Sequence, residues 1–240
     1  MKKIEVCLSP DLLHLFDLKG KIVVVVDILR ATSCMVTGLA NGINSIIPVA
    51  TLEECRKLQS EGCICAAERD GMKVNGFELD NSPFSYMNEE LKGKCIAVTT
   101  TNGTQAIVKS NHAEEILIGA FLNIKAISDY LKEKSNDVLI VCSGWKGNFN
   151  IEDTLFAGNL HYLISSGYND SQDAMIMAAE LYVNHKGNLL SLVNRSQHAQ
   201  RLNRLNIVKD IEFCLTKNVY DVLPLYKDGK IENIHALINS

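Results

Sequence analysis

Asp27 follows five apolar residues, Ile22 to Val26, so its carboxylate stands where a buried strand gives out. A charge there is costly unless it is paired or bound to a metal. Arg30, three residues on, offers the simplest pairing. Glu68-Arg69 repeats this acid-plus-base arrangement after a second apolar run, Cys63 to Ala67. A third cluster, Thr99-Thr100-Thr101-Asn102-Gly103-Thr104, sets hydroxyls and an Asn-Gly pair where a strand should hand over to a helix. Free backbone N–H groups at such a junction favour an anion such as phosphate or carboxylate, although an N-cap and turn without a ligand explains the same residues. A fourth cluster, Cys142-Ser143-Gly144-Trp145-Lys146-Gly147, precedes Glu152-Asp153. Acidic residues in a helix's first turn are ordinary dipole partners, and here they are also candidate metal ligands or proton donors.

These clusters need elements to carry them. Lys21 to Leu29, Ser45 to Val49, Cys63 to Ala67, Lys94 to Thr99, Glu115 to Ile118 and Asp137 to Cys142 read as strands, with Ile4 to Leu8 a candidate first strand. Ala31 to Ala40, Thr51 to Glu61, Pro83 to Leu91, Asn102 to Ser110 and Asn123 to Lys134 read as helices between them. This alternation predicts an α/β fold with a largely parallel or mixed sheet flanked by helices in three layers. Residues 1–150 form the α/β core in this reading. Residues 151–240 form a mostly helical C-terminal third packed on that core: Ile151 to Ser166, Ser171 to His185, Leu189 to Arg195, Gln197 to Leu205 and Val208 to Lys217, then a closing strand, a Lys-Asp-Gly-Lys turn and a last short segment. In open α/β sheets ligands bind beyond the carboxyl ends of the strands, where residues far apart in sequence can meet.

Composition narrows the function. The chain has 240 residues, a net charge of −4 and 47% hydrophobic residues, so there is neither a basic field for nucleic acid nor the polarity of a disordered chain. The apolar run ending at Asp27 is far short of the roughly 18 residues of a membrane span. Lys2 and Lys3 mimic the start of an export signal, but Glu5 interrupts it, and the expectation is a cytoplasmic protein. Eight scattered cysteines without a Cys-x-x-Cys read as reduced core residues. Cys63 and Arg69 have the Cys-x5-Arg spacing of cysteine phosphatases, yet Cys63 to Ala67 reads as strand rather than phosphate loop. Leu29 stands where a haloacid dehalogenase would have its second aspartate, and no P-loop or Gly-x-Gly-x-x-Gly occurs. Among the histidines, His198 lies between Arg195 and Arg201, with a lone surface residue as the ordinary reading.

Taken together, Val26-Asp27-Ile28-Leu29-Arg30-Ala31-Thr32-Ser33, Glu68-Arg69 with Asn81-Ser82-Pro83, Thr99 to Thr104, and Cys142 to Gly147 with Glu152-Asp153 resemble the 2-phosphosulfolactate phosphatase family. Beyond about Leu163 the resemblance rests on Ser196 to Leu202 and Asp210. It implies magnesium-dependent hydrolysis of 2-phospho-3-sulfolactate to sulfolactate and phosphate, a coenzyme M biosynthesis step. Another small phosphorylated 2-hydroxy acid as substrate, or a non-catalytic binder of an anionic metabolite, is the alternative. The implied catalytic set is Asp27, Arg30, Glu68, Arg69, Glu152 and Asp153, with Asp153 or Glu152 protonating the departing alkoxide. Magnesium is assigned to Asp27, Glu68 and Asp153. Substrate binding is assigned to Thr32, Ser33, Thr100, Thr101, Asn102, Gly103, Thr104, Ser143, Gly144 and Lys146. The expected partner is this small anion, with no nucleic acid or membrane, and a homo-oligomer is left open.

Overall fold

A computed structural model describes residues 2–69, 72–100, 102–169 and 172–234, the Arg69 side chain excepted. The strands are β1 (Lys2–Cys7), β2 (Ile22–Val26), β3 (Ser45–Pro48), β4 (Ile64–Arg69), β5 (Met72–Lys73), β6 (Cys95–Thr99), β7 (Glu115–Gly119), β8 (Val138–Cys142), β9 (Tyr168–Asn169), β10 (Pro224–Lys227) and β11 (Lys230–Asn233). They join in one mixed sheet, ordered β5-β4-β6-β3-β11-β10-β7-β2-β8-β1-β9. The helices are α1 (Ala31–Ala40), α2 (Leu52–Ser60), α3 (Gly103–Lys109), α4 (Ile124–Glu133), α5 (Ile151–Ile164), α6 (Asp173–His185), α7 (Leu189–Val193), α8 (Gln197–Arg204) and α9 (Val208–Cys214). The fold is α/β, as the alternation of patterns predicts.

The sheet holds two parallel blocks. β1, β8, β2 and β7 form one, and β3, β6 and β4 the other. The closing segment of the chain does not sit at an edge but joins them: β10 pairs antiparallel with β7, and β11 antiparallel with β3. Its turn is Asp228-Gly229, both at positive φ, the geometry that a two-residue hairpin needs. Three antiparallel joints leave β3 running opposite to β7, so in a flat sheet the strand ends bearing Asp27 and Glu68 would point apart. Sheets are not flat. About 20–25° of twist at each of the six steps from β2 to β4 turns the strand direction by roughly 120–150° and takes back most of that reversal.

The curled sheet wraps one face around α1 and α3. Val25, Ile46, Ala66, Ile96, Ile118 and Val141, from six different strands, share a cluster with Cys34 and Met35 of α1 and Ile107 of α3. α1 is buried at every position from Ala31 to Leu39, which is why its sequence carries little polar face. The other face packs α4 to α9 in a second cluster that includes Val24, Ile140, Phe156 and Ile211. Pro83 to Leu91 is two short 3-10 turns rather than one helix, because Asn88 takes an extended backbone and its side chain accepts from the Glu90 N–H. All eight cysteines are free. No helix among the described residues is long and apolar enough to cross a membrane.

α5 lies almost wholly buried beneath α6, and the two backbones meet at Gly158, where an added Cβ would stand 2.0 Å from the Ala178 carbonyl oxygen. Gly158→Ala should therefore lower stability by about 2–4 kcal/mol, at or above the upper end of ordinary overpacking. Gly187→Ala, at a position with nothing within 4 Å, should be near neutral. Thermal melts of both variants check this, and equal melting temperatures would refute the close approach.

Candidate active site

The site begins with a tight turn after β2. The Asp27 N–H donates to Thr32 Oγ1 at 3.0 Å, the Thr32 N–H returns to the Asp27 carbonyl at 3.0 Å, and the Ser33 hydroxyl donates to the Ile28 carbonyl at 2.9 Å. This lattice holds the Asp27 carboxylate at the N-terminus of α1, where it accepts from the Ala31 N–H. α3 starts against it: a Cβ on Gly103 would stand 2.8 Å from Asp27 Oδ2. Glycine is needed there for close approach.

After β6, Thr100 and Thr104 bond to each other across the start of α3. Thr100 Oγ1 accepts from the Thr104 N–H at 3.2 Å, and the Thr104 hydroxyl donates to the Thr100 carbonyl at 3.0 Å. After β8, the Ser143 N–H extends the ladder to the Val26 carbonyl at 2.8 Å, and a narrow bridge between Trp145 and Asn148 carries Trp145 and Lys146 over the strand ends. The Ser143 hydroxyl is buried without a partner. Asp153, capped by Asn150, receives the Ile28 N–H at 2.9 Å on one carboxylate oxygen and the Gly144 N–H at 3.1 Å on the other. It clips the ends of β2 and β8 together.

A cavity of about 130 Å³ opens where these ends converge, lined by Asp27, Glu68, Asn81, Thr100, Asn102, Trp145, Lys146, His198 and Arg201 among others. Arg30 sits behind it, buried, with one guanidinium nitrogen on Asp210 of α9 and the other 3.0 Å from Glu68 Oε2. Arg201 reaches Glu68 Oε1 at 3.7 Å and lies over the Trp145 ring. His198 stacks on Trp145, with ring centroids 5.7 Å apart and planes 8° from parallel, and its Nδ1 is 2.7 Å from Glu152 Oε1. Among the described side chains, five carboxylates (Asp27, Glu68, Glu152, Asp153, Asp210) thus face three full cations (Arg30, Lys146, Arg201). Burial, with the charges of Glu152 and Glu68 adding to it, pushes the Asp27 carboxyl up to about 6. Asp153 moves the same way, through burial and the nearby Asp27 and Glu152.

A sequence model of 2-phosphosulpholactate phosphatase matches residues 7–229. The chain belongs to this family of phosphoric monoester hydrolases. A relative named probable 2-phosphosulfolactate phosphatase in Caldanaerobacter subterraneus subsp. tengcongensis is 40% identical over 218 residues, 89% of this chain and 90% of its own. One of the same name in Thermotoga petrophila is 41% identical over 206 residues, covering 86% and 89%. Another in Clostridium beijerinckii is 35% identical over 234 residues, covering 95% and 98%.

Within this chain, the structure gathers Asp27, Glu68, Thr100, Asn102 and Lys146 around one cavity and assigns other expected residues to different work. Thr32 and Ser33, expected to bind substrate, are fully buried in the turn that holds Asp27. Gly103 makes room for the Asp27 carboxylate, Thr104 closes its own loop, and Gly144 donates to Asp153, so their contribution is to position neighbours. Arg30, expected to meet the substrate, spends its charge on Glu68 and Asp210. Asp153, expected on the metal, has both oxygens engaged by amides. Glu152 turns to His198 rather than to the cavity. Thr101 and the Arg69 side chain lie outside the described residues.

His198 and Arg201 were not in the expected set. His198 is no lone surface residue but is buried and paired; the cations flanking it in sequence were the available signal. Among the described residues no three His, Cys, Asp or Glu side chains come together as a metal cluster. A metal here would rest on one or two carboxylates.

The raised Asp27 proton affinity has a thermodynamic sign. Between its ordinary 3.8 and about 6 the folded chain binds more protons than the unfolded one, so stability is greatest below this window and falls as pH rises through it. Asp27→Asn should therefore stabilise the protein at neutral pH by about 2 kcal/mol and shrink the decline, Asp153 supplying the remainder. Urea denaturation at about pH 4 and about pH 7 measures both; an unchanged pH dependence in the variant would acquit Asp27.

Proposed function

We propose that the protein is a magnesium-dependent phosphatase that hydrolyses 2-phosphosulfolactate to sulfolactate and inorganic phosphate, the reaction type that serves coenzyme M synthesis. The observation that carries this reading is the convergence of Asp27, Glu68, Lys146 and Arg201 on one small cavity in a chain of this family. The substrate brings a phosphate, a carboxylate and a sulfonate. Lys146 and Arg201 line the cavity, and a neighbouring space of about 450 Å³ that shares Trp145, Lys146 and His198 adds Arg195. These cations match the substrate's charges better than the buried Arg30, which serves by holding Glu68.

The donor set fits magnesium, which takes one or two carboxylates, keeps several waters and bridges phosphate oxygens. Asp27 faces the cavity and carries a carboxylate made costly by burial, a cost that a divalent cation relieves. It is our assigned ligand, with Glu68 the second carboxylate of the cavity. When bound, the ion neutralises phosphate oxygens and so offsets the surplus of acidic groups. The chain's own residues do the rest. Arg201 and Lys146 hold the anionic ends of the substrate, Asn102 and Thr100 supply neutral polar contacts at the wall, and the Trp145 ring covers the reacting centre from water.

Purified protein should release phosphate from 2-phosphosulfolactate with magnesium present and lose that activity when the metal is chelated. Asp27→Asn should cut kcat by about 10²-fold or more while the protein stays folded, and Arg201→Ala should raise KM by about tenfold. Absence of phosphate release from this or any small phosphomonoester would sink the reading. Tight phosphate binding without turnover would instead mark an anion-binding protein.

A further inference from the structure

Hydrolysis of an alkyl phosphate leaves a problem that the carboxylates of the site do not solve: the departing oxygen belongs to a poorly acidic alcohol and needs a proton. Asp153 is fully buried outside the cavity lining, its two oxygens held by the Ile28 and Gly144 amides. Glu152 is outside that lining too, its Oε1 bound to His198 and its Oε2 buried away from any partner. His198 is different. It lines the cavity, its ring is fixed from the side by Trp145 and from behind by Glu152, and with Nδ1 on that carboxylate its Nε2 is the nitrogen left to serve the cavity.

Resting on the phosphatase reading above, we infer that His198 is the general acid of the reaction and that Glu152 is the positioning residue that orients it. The fully buried Glu152 carboxylate has no other hydrogen-bond partner, so it holds the ring by Nδ1 and fixes its orientation toward the cavity. Other charged groups sit around the ring. Asp27 faces it from the end of β2, Lys146 from the loop after β8, Arg201 from the next turn of α8, and Glu68 across the cavity from β4. In the step, the water oxygen bonds to phosphorus while the ester P–O bond breaks and its electron pair goes to the sulfolactate oxygen. The Nε2 proton of His198 moves to that oxygen and makes the alcohol. The proton lost by the attacking water restores the imidazolium, and the products are sulfolactate and hydrogen phosphate.

An acid that protonates the leaving group matters most when that group is a poor one. His198→Asn should lower kcat on 2-phosphosulfolactate by about 10²-fold or more, within the usual range for a general acid, with little change in KM. On p-nitrophenyl phosphate, whose phenolate leaves without help, the loss should be at least about tenfold smaller. Glu152→Gln should show the same leaving-group pattern with a smaller loss, and the double variant should be little worse than His198→Asn alone. Equal losses on the two esters, or an effect confined to KM, would overturn the assignment and leave the phosphatase reading intact. A wild-type protein that hydrolyses neither ester would remove the phosphatase reading and this inference with it.

Discussion

The Arg30 guanidinium, buried between Glu68 and Asp210, is the interaction on which the geometry turns. It belongs to the turn after β2, its partners to β4 and α9, so one side chain joins the two parallel blocks of the sheet and the helical layer. Burying three charges costs desolvation that an apolar replacement would avoid, and such groups are therefore weak evidence of stability for its own sake. Their worth here is placement. Charges alternate from Asp210 through Arg30 and Glu68 to Arg201, and the row leads from the core to the cavity mouth. Removing any inner member strands the opposite charge in a dry place, which is the expensive failure.

The cavity and the buried groups around it together hold more acid than base, an unpromising arrangement for a protein that handles phosphate. Two features reconcile the two. Asp27 is kept near the sheet's carboxyl ends by a lattice of hydroxyls and amides and by a glycine that lets α3 approach, so its discomfort is built in rather than accidental. The remaining carboxylates are each assigned a partner within the protein: amides for Asp153, an imidazole for Glu152, arginines for Glu68 and Asp210. Stability is given up at Asp27 and Asp153, whose carboxyls burial pushes up, and defended at Glu68 and Asp210 by the arginines, the usual pattern of a working site.

Much of this was legible in the residues, and the reasons for the rest are physical. Strands β2, β6 and β8 could be read because they are buried on both faces and therefore run as unbroken apolar stretches, and the polar clusters that follow them mark where burial ends. The class of fold followed from that alternation. What did not follow was pairing. The pattern of residues 224–233 announces a strand and a turn but cannot say that they enter the middle of the sheet, because partners are chosen by contacts far away in sequence. The division of labour at the site was hidden for the same reason. Nothing local distinguishes Asp27, which meets the cavity, from Asp153, whose oxygens are sealed by Ile28 and Gly144, and His198 becomes meaningful only once Glu152 and Trp145 are beside it.

The central hairpin has a consequence for how the molecule is made. β10 and β11 follow all the other described strands in chain order, yet they are the seam through which β7 and β3 share one sheet. Until residues 224–233 have left the ribosome, the two earlier blocks face each other with open edges and no common ladder, so the Asp27 and Glu68 ends cannot yet be brought into register. Completion of the cavity is thereby postponed until that hairpin has been made, and the nascent chain must keep two unpaired edges from other strands until then.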